Sequence, residues 1–381
     1  MSVPIWASSY ELSLLSRTGD YIRPLTAFQS LSMTRTVGSV GALTIAVPYS
    51  PEMWRYCPRD AIIDVWRQGA RGSARQPMGG VWFISRREVT LDSSGAMILN
   101  LSCVDQIDIL NRYIVIADAG TPQSDKTGPA ETLIKSIVRE QLLTASIVNS
   151  RPGLGMYLSV EPDLARGHAP MSISASQQSV LSVCTQVARS SAQYGEYLAF
   201  DLDPAAGSLA FVFRCRADQL GRDRSAGSPI QTTLSDENGA LGTAAYSEDY
   251  GQLATFVLCG GQSVSGTPTS ATAVSPSLDL AGPFAHTEAY ASQQASYDTE
   301  TLATQAAESL RMARPMLEVG SVTINQSEAL QMGVDFDFGD RIVASVGGIS
   351  LNCRIESLTV AYDAQTGKET ITGTLRSEYS P

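Results

Sequence analysis

Alternation of apolar and polar residues dominates the first third of the chain. Tyr10-Glu-Leu-Ser-Leu-Leu15 alternates and gives way to a turn at Ser16-Arg-Thr-Gly-Asp20. Leu43-Thr-Ile-Ala-Val47 alternates and stops at Pro48, where a strand would lose a ladder donor. Ala61-Ile-Ile-Asp-Val-Trp66 follows, and then a pair, Val81 to Leu91 and Ala96 to Val104, joined by Asp92-Ser-Ser-Gly95. Successive side chains of a strand face opposite sides. Short runs of this kind, punctuated by Gly, Asp and Ser, predict a meander or barrel.

The period changes beyond about residue 113. From Pro129 to Leu143, Leu133, Ile134, Ile137, Val138 and Leu142 share one helical face, and Pro129 suits the first turn. A second helix is predicted over about Ser176 to Tyr194, with Val180, Leu181, Cys184, Val187 and Ala188 inside and Gly195 as its stop. Tyr197 to Asp203 and Leu209 to Arg214 flank Pro204 to Ser208 as a hairpin, so this block reads α+β. Residues 217–232 read as a loop, and Ala254 to Cys259 as a strand ending at Gly260-Gly261. Residues 262–285, rich in Ser, Thr, Gly and Pro, read as an irregular excursion. A third helix is predicted from Thr299 to Arg314, with Leu302, Ala303, Ala306, Ala307 and Leu310 inside and Pro315 ending it. The last stretch returns to β character, with turns at Gly347-Gly348 and Asp363 to Gly367.

The two β blocks resemble each other. Ile84-Ser-Arg-Arg-Glu-Val-Thr-Leu-Asp-Ser-Ser-Gly95 and Ile355-Glu-Ser-Leu-Thr-Val-Ala-Tyr-Asp-Ala-Gln-Thr-Gly367 both run from Ile through Val to Asp and then Gly. Upstream, Arg59-Asp-Ala-Ile-Ile-Asp-Val-Trp66 matches Gly339-Asp-Arg-Ile-Val-Ala-Ser-Val346. Such long-period similarity is read as two related barrels, with other segments inserted between their parts. A simple likeness of two meanders remains the alternative.

Composition narrows the chemistry. The 381 residues carry 27 Lys+Arg against 38 Asp+Glu, a net charge of -11, with 43% hydrophobic residues. That is enough apolar matter for two or three folded domains, and the wrong charge for gripping duplex DNA. His168 and His286 are the only histidines, so a histidine-based enzyme is disfavoured. Both lie in loop contexts, and no GxSxG elbow accompanies them. The six cysteines, at 57, 103, 184, 215, 259 and 353, include no CxxC pair and read as free, buried apolar side chains in a reducing compartment. The first 15 residues lack the pattern of a secretory signal, and no apolar run reaches the length of a membrane span.

Other candidates dissolve on inspection. Asp335-Phe-Asp-Phe-Gly-Asp340 reads as an amphipathic strand, with Asp335 and Asp337 on one face and Phe336 and Phe338 on the other, rather than a cation loop. Asp201 and Asp203 read as outward carboxylates before a turn. Arg151-Pro-Gly-Leu-Gly155 lacks the Lys and Ser/Thr of a phosphate loop. Arg222 and Arg224 read as a solvated loop, with contact to phosphate or a neighbouring subunit as the alternative. No catalytic, cofactor-binding or metal residues are assigned, and no cofactor is implied.

The order of segments resembles the tail-hub family of tailed bacteriophages, siphophage tail proteins related to the contractile-phage baseplate hub. The carriers are Tyr10 to Leu15, Val104-Asp-Gln-Ile-Asp-Ile-Leu-Asn-Arg-Tyr-Ile-Val115, Lys126-Thr-Gly-Pro-Ala130, Gly221-Arg-Asp-Arg224, Ala254-Thr-Phe-Val-Leu-Cys-Gly-Gly-Gln262 and Phe338-Gly-Asp-Arg-Ile-Val343. The resemblance implies an α+β, mainly β chain with two related tube-like β-barrels, an inserted α+β domain and a small partly helical insertion. On this reading residues 1–113 are the first barrel and 114–216 the α+β domain. Residues 217–262 and 317–381 form the second barrel around an insertion at 263–316. The resemblance further implies a homotrimeric ring at the virion tail tip, assembled in the host cytoplasm. The tail tube or a distal tail protein would lie above it, and a central fibre or spike below. DNA would pass through the lumen without sequence-specific binding, and no hydrolase module is expected after Pro381. Two other classes stand beside this one. One is a receptor- or carbohydrate-binding module using Trp6, Trp54, Trp66 or Trp82, and the other a peptidoglycan-degrading enzyme using two carboxylates.

Overall fold

Strands form where the alternation is strongest. A computed structural model describes residues 8–69, 75–91, 95–116, 123–143, 153–205, 209–251, 253–263, 269–275, 284, 286–293, 299–313, 316–327 and 329–377. In it β1 (Ser9–Leu15), β2 (Tyr21–Pro24), β3 (Ser30–Thr36), β4 (Ala42–Pro48), β5 (Ile62–Gln68), β6 (Gln76–Leu91) and β7 (Met97–Asp105) lie in the order β3-β4-β7-β6-β5-β1-β2. All these pairings are antiparallel. The inward residues, among them Leu14, Leu43, Ile45, Ile63, Val65, Leu99 and Leu101, are fully buried. Trp82, the largest of them, donates its indole N–H to the Met78 carbonyl at 2.9 Å, so its one polar atom is satisfied inside the core. Helix α1 (Pro51–Tyr56) sits between β4 and β5, capped where Ser50 Oγ accepts the Met53 N–H. Three residues of the expected turn after Leu91, at 92–94, lie outside the described residues.

The middle block follows the change of period. It holds α2 (Asp108–Asn111), β8 (Ser124–Gly128), α3 (Ala130–Val138), β9 (Leu158–Val160), β10 (Met171–Ala175), α4 (Val180–Gln193), β11 (Leu198–Pro204) and β12 (Phe211–Ala217). The predicted apolar faces of α3 and α4 meet Phe200, Leu202 and Phe213 of the hairpin in one core, which also takes in Ile62 and Phe83 of the first block. Two boundaries differ from expectation. Arg139–Leu143 continues α3 as a π-helical turn. Helix α4 begins at Val180 rather than near Ser176, because Gln177 takes a left-handed backbone (φ 55°) and Ser179 Oγ accepts the Ser182 N–H.

Next come β13 (Asp223–Arg224), β14 (Thr233–Ser235) and β15 (Leu241–Thr243), and then a second compact unit built mainly from Tyr246–Glu318. That unit contains β16 (Ser247–Asp249), β17 (Phe256–Gly261), β18 (Ser270–Val274), β19 (Glu288–Gln293) and α5 (Thr299–Met312). β17 is the centre of a three-stranded sheet, antiparallel to β18 and parallel to β19. Leu302 and Ala306 of α5 bury themselves against Val257 and Cys259. The stretch read as irregular therefore contains a strand, β18, which takes its order from pairing with β17. Residues 264–268, 276–283 and 285 of that stretch, and the predicted helix stop at Arg314-Pro315, lie outside the described residues.

The chain ends its fold with β20 (Met316–Ile324), β21 (Arg341–Val346), β22 (Ile349–Asp363) and β23 (Lys368–Ser377). The first and second β blocks repeat one arrangement. β5-β6-β7 and β21-β22-β23 are both meanders whose middle strand is long. Each middle strand bulges at the aligned isoleucine, between Ile84 and Arg86 and between Ile355 and Ser357. Ile84 takes the Asp60 N–H at 2.8 Å and gives its own to the Ala61 carbonyl at 2.9 Å; Ile355 does the same with Gly339 at 3.1 Å and Asp340 at 2.9 Å. These bonds set Asp60 against Gly339, one residue away from the sequence alignment, which had matched Asp60 to Asp340 on charge. Outside the meanders, β7 is followed by β4 and β3, and β23 by β20 and β15. The two blocks are joined by antiparallel pairing of β3 with β22, from Thr36 opposite Ser357 to Ser30 opposite Asp363. The protein is mainly β, and among the described residues no sheet closes on itself.

Candidate assembly site

Buried charges tie the segments of the larger unit together. Arg67 on β5 is only 2% exposed. Its Nε and Nη2 reach Glu369 of β23 at 2.8 Å each, and Nη2 also reaches Ser8 Oγ and Gln326 Oε1 at 2.9 Å. Its Nη1 donates to the Met332 carbonyl at 3.2 Å, and the Tyr10 hydroxyl donates to the same carboxylate. Burial pushes the Glu369 carboxyl up, but Arg67 outweighs it and holds the group below its ordinary range. A charge this buried persists only because each of its three nitrogens finds an acceptor.

Arg35 makes a second tie. From β3 it reaches Asp201 of β11 at 2.6 Å and lies over the Phe338 ring at 4.3 Å, joining both β blocks and the middle block. Asp201 is therefore inward and 7% exposed, not outward as its pattern implied. β11 is covered on both faces, so alternation there no longer separates core from solvent. Asp203 pairs with Arg214 at 3.0 Å. Nearby, burial raises the Asp105 carboxyl to about 6, against the opposing pull of Arg35 and the Gly41 N–H.

The third tie joins two of the motifs quoted above. Asp340, 1% exposed, accepts the Arg222 N–H at 2.6 Å and its side-chain Nη2 at 2.9 Å. Arg222 and Arg224 also donate to the Val334 carbonyl, at 3.1 and 2.6 Å. Both arginines are thus tied to the buried Asp340, Arg224 largely covered and Arg222 still 39% exposed, which corrects the reading of a loop engaged only with solvent. The Asp335–Asp340 stretch is a turn rather than a strand. Asp335 accepts the Gln331 N–H, Asp337 the Phe338 N–H, and Phe336 is fully buried. Gly221 permits this approach, because a Cβ there would stand 2.8 Å from Asp340 N and 2.9 Å from Gly339 C, both backbone atoms. Gly221→Ala is accordingly expected to lower the urea midpoint of unfolding without changing the slope of the transition; an unchanged midpoint would show that the loop relaxes freely.

Within the middle block, Glu131 and Lys135 are both fully buried on α3 and lie 2.5 Å apart. Arg166 adds two bonds at 2.9 Å to the Glu131 carboxylate, and Glu161 reaches Lys135 at 3.2 Å. Burial raises the Glu131 carboxyl, but the bonds from Arg166 and Lys135 win and hold it at about 2. Its folded value lies below the ordinary 4.5, so its contribution is present above pH 4.5 and is lost as pH falls toward 2. Chemical denaturation at pH 5 and pH 3 is expected to show this loss, and Glu131→Gln to flatten it. Asp105 runs the other way: its value is raised from 3.8 to about 6, so its contribution is present below pH 3.8 and is lost as pH rises through about 6.

The remaining candidates are placed as follows. His168 is half-buried 3.9 Å from Glu196, and its backbone N–H donates to Ser191 Oγ at 2.9 Å. His286 pairs with Glu288 at 2.8 Å. All six cysteines are buried thiols outside any disulfide, and burial raises Cys57 to about 11 and Cys215 to about 12. Trp82 is core, while Trp54 and Trp66 carry Arg87 and Arg75 over their rings at 3.9 and 4.3 Å. Trp6 and residues 151 and 152 lie outside the described residues. Among the described residues no cluster of three or more His, Cys, Asp or Glu could hold a metal, and no helix is long and apolar enough to cross a membrane. The single-residue readings missed these ties because their partners lie over 100 residues apart; the two Gly-Asp/Arg motifs were the one visible signal.

This fold is that of phage tail proteins. The chain is similar to the prophage MuSo2 43 kDa tail protein of Shewanella oneidensis at 12% identity, over 98% of this chain and 99% of that one, with a TM-score of 0.59. It is similar to a tail protein of Neisseria meningitidis MC58 at 15% identity, over 97% of each chain, with a TM-score of 0.57. Prophage tail protein gp18 of Listeria monocytogenes EGD-e follows at 11% identity, over 98% of this chain and 96% of that one, with a TM-score of 0.52. A family model described as the Siphovirus ReqiPepy6 Gp37-like protein matches residues 11–374, and the chain belongs to this family of siphovirus tail proteins. No curated protein matches the chain.

Proposed function

We propose that this protein is the hub of the tail tip, a homotrimeric ring that adapts a six-fold tail tube to three-fold components below it. The observation that carries this is the repeated meander: one chain supplies two copies of the same bulged three-stranded motif, joined edge to edge through β3 and β22. Three chains would supply six such blocks, one for each subunit of a tube ring. Each block is read as a tube-like barrel wall. The first comprises residues 1–113, and the second is assembled from the segments on either side of the unit at Tyr246–Glu318. The α+β block, residues 114–216, is an insertion between them.

The role is structural rather than catalytic. Of the acids weighed as chemistry, Asp201 and Asp340 are spent on ion pairs that hold segments together. With a net charge of -11, a lumen rich in carboxylates would repel phosphate and let DNA slide past without holding it. Mixing the purified protein with its tube protein and imaging the product by negative-stain electron microscopy tests the reading. Capped tubes ending in a three-fold ring are the expected result. A monomer that leaves tube ends bare would refute it.

A further inference from the structure

One edge in the first block lacks the cover that its counterpart has in the second. Past its bulge, β22 pairs with β23 on one side and with β3 on the other. Past its own bulge, β6 pairs with β7 on one side over Arg86–Leu91, and among the described residues no strand lies on the other. β5 cannot cover it, since its pairing with β6 stops at Phe83. The difference shows in the side chains. Counting from the bulges, Val89 stands where Val360 does and Leu91 where Tyr362 does. Val360 is fully buried under β3, but Val89 is 40% exposed and Leu91 68%, and Met97, paired with Leu91, is 55% exposed. A strand edge left open in this way, with Val89 and Leu91 exposed along it, is a template for another strand.

The same repeat identifies the strand that fits. β3 is the outermost strand of the first block, reached from β7 through β4. β15 holds that place in the second block, reached from β23 through β20. β3 spends its outer edge on β22, whereas β15 ends the sheet with its outer edge unpaired among the described residues. Each chain therefore carries one used junction of this kind and both halves of a second. The halves lie at opposite ends of the repeat, so they are complementary to another molecule rather than to themselves.

We propose that β15 (Leu241–Thr243) of one copy adds antiparallel to the outer edge of β6 (Arg86–Leu91) of the next copy, repeating between molecules the junction that β3 and β22 make within one. The occupant is a second copy of this chain because the only strand shown to fit this kind of edge is the β3-type strand, and the chain holds a spare one. A head-to-tail contact of this kind closes when its rotations sum to a full turn. The proposal rests on the ring reading above and names the seam of that ring.

Hydrogen–deuterium exchange on the assembled protein tests the seam, with the double variant Val89→Lys, Leu91→Lys as comparison. Both positions are exposed in the single chain, so a fold equal to the parent, by circular dichroism and melting temperature, is expected. The parent assembly is expected to protect the amides of Arg86–Leu91 and Leu241–Thr243, and the variant to lose the ring and both protections together. A parent ring whose Arg86–Leu91 amides exchange as fast as those of the unassembled chain would overturn the seam and leave the ring reading intact. A parent that forms no ring with tube protein would overturn both.

Discussion

Replacing Glu369 with alanine is expected to cost about 3–5 kcal/mol of stability, the range for removing one partner of a buried ion pair. The reason is what stays behind. The Arg67 guanidinium would keep three neutral acceptors, Ser8, Gln326 and the Met332 carbonyl, but lose both bonds to the one carboxylate that it reaches among the described residues. Burial would then press on an unneutralised charge, and water has little access to a side chain 3% exposed. The tie also spans 302 residues of sequence, joining β5 of the first block to β23 of the second. The double variant Arg67→Met, Glu369→Leu is expected to recover much of the loss, since it removes the stranded charge. Urea unfolding followed by circular dichroism reads both. A loss below about 1 kcal/mol, the range of surface pairs, would mean that the cluster is solvated in practice.

Trp82→Ala is the other large effect, at about 3–5 kcal/mol. The indole is fully buried and fills the space against Gly79, where a Cβ would stand 2.8 Å from its ring. Truncation would leave a cavity as well as an unpaired Met78 carbonyl, which now accepts the indole N–H. Trp82→Phe separates the two terms: it keeps most of the volume and loses the hydrogen bond, and should cost about 1–2 kcal/mol. Equal losses for the two variants, measured by the same urea titration, would contradict the cavity argument.

The strands and helices with strong periodicity were legible in the sequence, and so was the repeat. Tyr10 to Leu15, Leu43 to Val47 and the apolar faces of α3 and α4 each bury the residues that their spacing selects, because local pattern and tertiary packing agree there. Short elements escaped. α1 has six residues, fewer than two turns, and Ser30–Thr36 interleaves one Leu and one Met with hydroxyls and Arg35, too little contrast to mark β3. β18, Ser-Ala-Thr-Ala-Val, carries small side chains and is ordered by its neighbour rather than by its own residues. The charged ties were illegible for a different reason. Nothing local distinguishes Asp201 from Asp203 or Asp340 from Asp337, and only the chain's return path decides which meets an arginine. The bulges at Ile84 and Ile355 were anticipated only as matching residues. Their meaning, that both meanders bend and open an edge at the same point, appeared once the backbone bonds could be compared.

A cryo-electron microscopy map of the intact virion bears most directly on the hub claim. The account predicts three copies in one ring, coaxial with the tube at its distal end, with six meanders facing the last tube ring and β15 of each copy against β6 of the next. Copies placed anywhere other than the tail axis, or arranged as isolated subunits around it, would contradict it.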